Sequence, residues 1–445
     1  MMQKTSYMVL GAVLGVGTML ATSHLQFFAP AQGRGATADT YRQLNLFGDV
    51  FERVRADYVD QPKDEQLVES ALNGMLSALD PHSGYLSARS FRDMQVQTRG
   101  EFGGLGIEVT MENGLVKVVA PIDDTPAARA GVRPGDLIVS LDGDQVLGLT
   151  LQQAVEKMRG SIGSAISIKV QRPGLDEPVE IKIVRDIIKI VSVRSRQEGE
   201  DVGYIRITQF NEQTTDGVRN AIEQISTALG PKLKGFILDL RNNPGGLLDQ
   251  SIKVSSAFID RGEIVSTRGR RPEDTRREYA RGGDLTKGKP MIVLVNGGSA
   301  SASEIVSGAL QDHKRATILG TRSFGKGSVQ TIIPLGQQNG AIRLTTARYF
   351  TPSGRSIQAL GIDPDILLQP DLPEADRAKT ETKGEAALRG HLKAEGEEKT
   401  ASSSYVAANP LEDNQLQMAL SLMRGQTQNA AFPPQATPGK QGSVR

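Results

Sequence analysis

Apolar positions recur at two different periods along this chain, and the switches between them mark its parts. From Thr40 to Arg99 the spacing is helical: Phe47, Val50, Val54 and Tyr58 in one stretch, then Leu67, Ala71, Leu72, Met75 and Leu79 in the next. This predicts two amphipathic helices joined near residues 60–64, with Asp80-Pro81-His82-Ser83-Gly84 as a turn after the second. Residues 100–190 alternate instead with period two. Gly103-Gly104-Leu105-Gly106-Ile107-Glu108-Val109 opens a strand behind a glycine loop, and further strands follow at Leu115 to Val119, Asp136 to Leu141, Ile166 to Val170 and Val179 to Val184. Pro126 to Ala130 reads as a short helix ended by Gly131, and Thr150 with Gln153 forms a capping box for a helix through Met158.

From Val202 strands and helices alternate. Strands are expected at Gly203 to Ile207, Gly235 to Leu240, Met291 to Val295, Ala316 to Gly320, Val329 to Pro334 and Ala341 to Phe350. Helices are expected at Val218 to Ala228, near Leu247 to Phe258, and from about Ala302 to Gln311. Such alternation describes an α/β layer with right-handed crossovers.

The ends have their own character. Lys4, the apolar run Tyr7 to Ala21 and the small residues Ala29-Pro30-Ala31 read as an export signal. The run is short for a span of about 20 residues but could extend through Phe28, so a cleaved signal and an uncleaved inner-membrane anchor both fit. A periplasmic protein, soluble or anchored, is expected. Charges crowd Asp371 to Thr400, and Gln, Pro and Gly dominate Gly425 to Arg445, both read as linker or disorder. Between them Asn409 caps a helix with Pro410 at its first position, Leu416, Leu420 and Met423 on one face and Gly425 at its end. The expected divisions are therefore 1–31, 38–99, 100–190, 191–370, 371–408, 409–425 and 426–445.

Composition narrows the function. The 445 residues allow about two or three domains, and with no Trp the core rests on Val, Ile, Leu and Ala. Lys plus Arg number 52 against 51 Asp plus Glu, with no basic stripe, so nucleic acid is not an expected partner. The absence of cysteine removes disulfides, thiolate nucleophiles, Cys-ligated zinc and a lipoprotein anchor. Without an HExxH motif or clustered ligands, no metal or other cofactor is expected. Among the four histidines, His24 falls in the leader and His391 in the charged stretch; His82, in a turn, and His313, after a helix end, read as structural.

Chemistry concentrates in strand-to-helix turns. Asn296-Gly297-Gly298-Ser299-Ala300-Ser301-Ala302-Ser303-Glu304 lies between a strand and a helix, where small neighbours admit a substrate backbone and unpaired N–H groups could hold an oxyanion. Ser301 fits a nucleophile there, but with Glu304 three residues on it fits a capping box equally. Phe324-Gly325-Lys326-Gly327-Ser328-Val329-Gln330 follows. Lys326 is either a solvated charge or, if desolvated, a neutral amine that accepts the serine proton. Gln330 could orient that amine or be an ordinary strand residue. In Asp239-Leu240-Arg241-Asn242-Asn243-Pro244-Gly245-Gly246-Leu247, the glycines either aim N–H groups at an anion or simply make a tight turn.

These three runs, in this order behind a PDZ-like domain and an export signal, closely resemble the carboxyl-terminal processing peptidases, or tail-specific proteases. The likeness covers roughly 40–370 and 410–425. It implies an α+β multidomain chain: an α/β crotonase/ClpP-like protease core, an inserted PDZ-like β-rich domain and an N-terminal helical module. It implies a Ser-Lys serine endopeptidase with Ser301 as nucleophile, Lys326 as base, Gln330 beside it, and oxyanion donors on Ala302 and the Gly245-Gly246 turn. It implies that Gly104-Leu105-Gly106-Ile107 binds a chain-terminal carboxylate, with Leu105, Ile107, Val155 and Met158 lining a pocket for the last side chain. Substrates with free C-termini, a homo-oligomer formed through the helical arms at 40–99 and the C-terminal helix, and a helical-repeat adaptor are the partners it implies. Two rivals stay open: a non-catalytic PDZ scaffold in which Ser301 only caps a helix, and acyl-CoA chemistry on a crotonase-like fold, against which the PDZ-like domain speaks.

Overall fold

The computed structural model describes residues 38–336, 338–372 and 384–434. The expected export segment lies outside them, as do residues 435–445 of the tail. The chain separates into two compact units at Ala71/Leu72. In the first, helix Ala38–Asp57 buries none of its residues, and Phe47, Val50 and Tyr58 of the expected apolar stripe stay exposed. Arg55 pairs with Asp64 at 2.9 Å across the predicted joint.

The second unit is built on a six-stranded sheet. Strands Val202–Ile207, Gly235–Asp239, Met291–Val295, Thr317–Gly320 and Ile366–Leu367 pair in parallel in that order, and Val193–Glu198 adds antiparallel at one edge. The two central strands read as unbroken apolar runs because both of their faces are covered. Phe236, Leu238, Met291 and Val293 pack with helices Thr214–Leu229, Leu248–Ser256 and Ala302–Asp312. Ile237, Ile292 and Leu294 pack on the opposite face with Leu416, Ala419, Leu420 and Met423. The C-terminal helix thus docks on the chain's own sheet.

A second sheet centres on Ala341–Phe350, which pairs with Ser328–Pro334, Gly84–Leu86 and Glu263–Arg268; the last pairs with Arg276–Tyr279. The Glu263–Arg268 and Arg276–Tyr279 hairpin escapes the sequence reading because arginines interrupt its apolar alternation. The β-rich domain holds strands Ile107–Glu112, Leu115–Pro121, Leu137–Leu141, Ala165–Gln171 and Val179–Val184 in that order. Its capping box forms as expected, with Gln153 N–H on Thr150 Oγ1 at 3.2 Å and Thr150 N–H on Gln153 Oε1 at 2.8 Å. The chain enters and leaves this domain through one antiparallel ribbon, Glu101–Gly104 with Asp186–Lys189.

The C-terminal part departs from expectation in three places. Residues 384–408, expected as charged linker, are packed: Glu385 is fully buried, its N–H reaching the Phe324 carbonyl at 3.0 Å. Composition reports average polarity and misses a carboxylate whose partners lie elsewhere in the chain. Next, the final helix spans Asn414–Arg424 with Asp413 as its cap, accepting Leu416 N–H at 3.1 Å. Asn409 instead holds a preceding turn through Leu411 N–H. Lastly, the tail's first residues close back on that helix, with Gln426 N–H on the Ser421 carbonyl at 2.9 Å.

Arg241 locks the helix in place. Its buried guanidinium takes Asp239 at 2.7 Å and grips Asp413 with both Nη atoms at 2.8 and 2.7 Å, while Gln415 accepts from Nη1 at 3.1 Å. Burial pushes the Asp239 carboxyl up, but Arg241 more than offsets this and holds it below the usual carboxylate range. Asp413→Ala removes one arm of this fork and the helix cap together. The expected loss of unfolding free energy, read by urea denaturation, is about 3 kcal/mol; an unchanged midpoint would mean the fork carries no stability.

Candidate active site

Three loops leave the carboxyl ends of adjacent parallel strands: Leu240–Leu247 after Gly235–Asp239, Asn296–Ser301 after Met291–Val295, and Thr321–Gly327 after Thr317–Gly320. Parallel neighbours put such loops side by side at one rim of the sheet, which is where the three sequence motifs converge.

Ser301 sits at the junction of its loop with helix Ala302–Asp312, at φ 55° and ψ −112°. A non-glycine residue there costs about 1–3 kcal/mol and persists only when its surroundings impose it. They do so here. Ala300 N–H and Ser303 Oγ both reach the Asn243 carbonyl at 2.9 Å, and Ser299 Oγ reaches the Leu240 carbonyl at 2.8 Å. The Gly245 turn presses on the same spot: a Cβ added there would meet the Ala300 carbonyl oxygen and Ser301 Cβ at 2.8 Å. Glu304 does accept the Ser301 N–H, at 2.8 Å. Glu304's own N–H goes to the Ser301 backbone carbonyl, however, and the Ser301 side chain makes no cap hydrogen bond.

Glu304 connects this turn to the lysine loop. Its Oε2 accepts both Ser301 N–H at 2.8 Å and Lys326 N–H at 2.9 Å. Sharing one acceptor keeps those two backbone nitrogens within about 6 Å of each other. Its Oε1 takes Gly325 N–H at 2.7 Å and Ser323 Oγ at 2.5 Å. Complete burial nevertheless pushes this carboxyl up to about 7, outweighing the four donors that favour its ionised form.

Ser301 and Lys326 line one cleft of about 1220 Å³, together with Gly245, Gly246, Val329, Gln330, Arg343 and Tyr349. Among the described residues no carboxylate forms an ion pair with the Lys326 amine. Burial drives its pKa below the ordinary lysine value, and the Arg343 guanidinium pushes the same way; Glu385, Glu304 and Asp80 oppose it without prevailing. Tyr349 lines the same cleft as Ser301, and burial pushes its phenol up to about 12, so it stays protonated.

The expected oxyanion donors separate. Gly245 N–H is committed to Asn243 Oδ1 at 2.9 Å. No acceptor among the described residues engages Gly246 N–H or Ala302 N–H, and a Cβ added at Gly245 would lie 2.9 Å from the Ala302 nitrogen. These two N–H groups are the ones free to meet developing charge. Gln330 reaches the cleft, but its amide donates to Ser328 Oγ at 2.9 Å and Thr345 Oγ1 at 3.3 Å, not to the amine. Neither structural histidine hydrogen-bonds Ser301: His82 Nε2 contacts Glu385 and His313 Nε2 contacts the Glu263 carbonyl, both at 2.7 Å. In the sequence Glu304 shows only the spacing of a cap partner, and Tyr349 carries no signal.

In the β-rich domain the Leu105 and Gly106 carbonyls accept Ala127 and Ile122 N–H at 2.9 and 2.8 Å. No hydrogen bond among the described residues occupies the N–H groups of Leu105 or Gly106. Gly106 lies at φ 77°, and a Cβ there would strike Thr125 at 2.3 Å, so only glycine fits. Gly104 closes the entry ribbon. Ile107 begins an edge strand with one side unpaired. Leu105 and Met158 are buried and Ile107 and Val155 half-buried in one apolar cluster.

Comparison with known proteins bears on the family. The sequence model of peptidase family S41 matches residues 201–368, that of the PDZ domain 103–183, and that of the activating protease CtpB N-terminal domain 10–90. The carboxy-terminal-processing protease of Bartonella bacilliformis is 58% identical over 399 residues, 89% of this chain and 92% of that protein. The carboxy-terminal processing protease CtpB of Bacillus subtilis is 35% identical over 345 residues, 76% of this chain and 70% of that one. A solved photosystem II D1 C-terminal processing protease aligns with 74% of this chain and 94% of its own at 30% identity and a TM-score of 0.42.

The raised Glu304 pKa has a measurable consequence. A carboxyl that holds its proton more tightly folded than unfolded stabilises fully below its unfolded pKa, and that contribution fades as pH rises through the folded value. Between about pH 4.5 and 7 the wild type should lose up to about 3 kcal/mol from this group, and Glu304→Gln should lack that slope. Urea denaturation of both at pH 5 and pH 7 checks it; parallel behaviour would refute the assignment.

Proposed function

This chain belongs to the carboxy-terminal processing proteases, serine peptidases of family S41 with a PDZ domain, and from that premise we propose that Ser301 and Lys326 form its catalytic dyad. The observation that carries the reading is Lys326: a part-buried side chain whose amine has no ion-paired carboxylate among the described residues, in the cleft of a serine held at a strained strand-to-helix turn. A neutral amine can take the Ser301 proton as Oγ attacks a peptide carbonyl. Gly246 and Ala302 N–H would hold the oxygen that gains charge. The lysine ammonium then returns the proton to the departing amine as the C–N bond breaks. Water, deprotonated by the same amine, cleaves the ester and frees Ser301. Tyr349, protonated throughout, would orient the serine hydroxyl.

The PDZ domain is proposed to choose substrates by their end. The unengaged N–H groups at Leu105 and Gly106 suit a terminal carboxylate, and the open edge of Ile107–Glu112 suits the strand leading to it. Recognition of free C-termini would then deliver exported proteins for cleavage near the tail. The apolar N-terminal run supports a periplasmic location; recovery of the mature chain in the cytosolic fraction would overturn that.

A disordered protein as substrate tests the dyad. Ser301→Ala and Lys326→Ala should each lower kcat/KM at least about 10³-fold, the double variant falling no further. Because the neutral amine is the active form and its pKa is lowered, activity should rise with pH around a midpoint below about 10.4. Amidating the C-terminus of a peptide ligand should weaken binding to the PDZ domain. Equal turnover by wild type and both single variants would end the reading.

A further inference from the structure

Residues 384–425 touch every loop of the site. Asp413 holds Arg241 of the oxyanion loop, and the Ser403 carbonyl accepts Gly297 N–H of the serine loop at 3.1 Å. Around Lys326 the grip is closest. Glu385 N–H reaches the Phe324 carbonyl at 3.0 Å, two residues before the lysine. Its Oε1 takes Gln358 Nε2 at 2.9 Å, and Gln358 Oε1 takes the N–H of Gly327, the residue after it, at 3.0 Å. Gln358 Nε2 also donates to the Leu392 carbonyl at 3.0 Å, inside the same segment. Lys399 N–H meets the Ala359 carbonyl at 3.0 Å, while Ala359 N–H meets that of Gly325 at 2.8 Å. No room is left between these layers: a Cβ on Gly327 would lie 2.2 Å from the Gln358 nitrogen, and one on Gly384 2.9 Å from the Phe324 oxygen.

We propose that residues 384–425 are a strap supplied in cis that sets the catalytic loops, with Glu385 the positioning residue for Lys326. The proposal rests on Lys326 being the base. Glu385 clamps the lysine loop on both sides of the amine-bearing residue, by its own main chain and through the Gln358 amide. It also meets His82 at 2.7 Å on its outer oxygen, tying the strap to the turn at Asp80–Ser83. Asp80 is fixed there by His82 and Ser83 N–H at 2.9 and 3.0 Å and by Thr345 Oγ1 at 3.0 Å.

The same carboxylate acts on the amine electrostatically. The charged groups facing Lys326 are Arg343 from Ala341–Phe350, Glu304 from the serine helix, Asp80 from the turn and Glu385 from the strap. Arg343 disfavours the ammonium, and the three carboxyls favour it. Removing the Glu385 charge therefore lowers the amine's pKa and moves the acid limb of the pH–rate profile to lower pH, a change that a purely mechanical brace would not produce.

Full-length Glu385→Gln and Glu385→Asp, assayed with a peptide ending in a free carboxylate, test this. In Glu385→Gln, kcat should fall about tenfold because the lysine loop is displaced, KM should be unchanged, and the acid limb should move down. Glu385→Asp keeps the charge but shortens the reach, so kcat should fall while the acid limb stays near that of wild type. Wild-type kcat and an unmoved acid limb in Glu385→Gln would overturn the proposal. So would a loss that vanishes on cooling below the thermal transition with the limb unmoved. If Glu385→Gln does not fold, wild-type kcat in Glu385→Asp is the overturning result. Lys326→Ala separates the two levels: if it is inactive while the Glu385 variants match wild type, only the strap fails, and if it retains turnover the base assignment fails.

Discussion

Two backbone N–H groups, from Ser301 and Lys326, meet on one oxygen of the buried Glu304. Carboxylates rarely enter a protein interior, because desolvation costs several kcal/mol unless donors replace the lost water. Glu304 has four such donors, and each belongs to a loop of the site. It fixes the distance between two segments that Phe324 N–H, on the Ser299 carbonyl at 3.0 Å, also joins. It also helps impose the unfavourable backbone angles of Ser301, since releasing that turn would strand a buried acceptor.

The scaffold makes this convergence possible. Gly235–Asp239, Met291–Val295 and Thr317–Gly320 are neighbours in one parallel sheet, so the loops following them emerge in a row. Helices on one face and Asn414–Arg424 on the other bury both surfaces of the sheet. Burial of the Lys326 side chain at this rim lowers its pKa, because an ammonium is poorly solvated there.

Much of this was legible in the sequence, for identifiable reasons. Strands such as Met291–Val295 announce themselves by continuous apolar runs, and glycine-rich turns mark where they end, so the alternation after Val202 and the turns bearing Ser301, Lys326 and Gly246 could be read directly. Burial of Lys326 could not, since a lysine between glycines looks like a solvated charge until the surrounding layers are known. Partners far apart in the chain were invisible for the same reason. Glu385 meets His82 from more than three hundred residues away, and the surrounding run of charges disguised it as linker. Asp413 was passed over for Asn409 as the helix cap because its role depends on Arg241, which no local pattern connects to it.

In the proposed dyad, catalysis turns on the state of the Lys326 amine. With isotopically labelled lysine in the full-length protein, and the signal assigned by its loss in Lys326→Arg, an NMR titration reads that amine directly. A midpoint well below the ordinary lysine value of about 10.4, leaving a substantial neutral fraction at working pH, is the expected result. An amine that titrates at or above that value, fully charged wherever the enzyme is active, would contradict it.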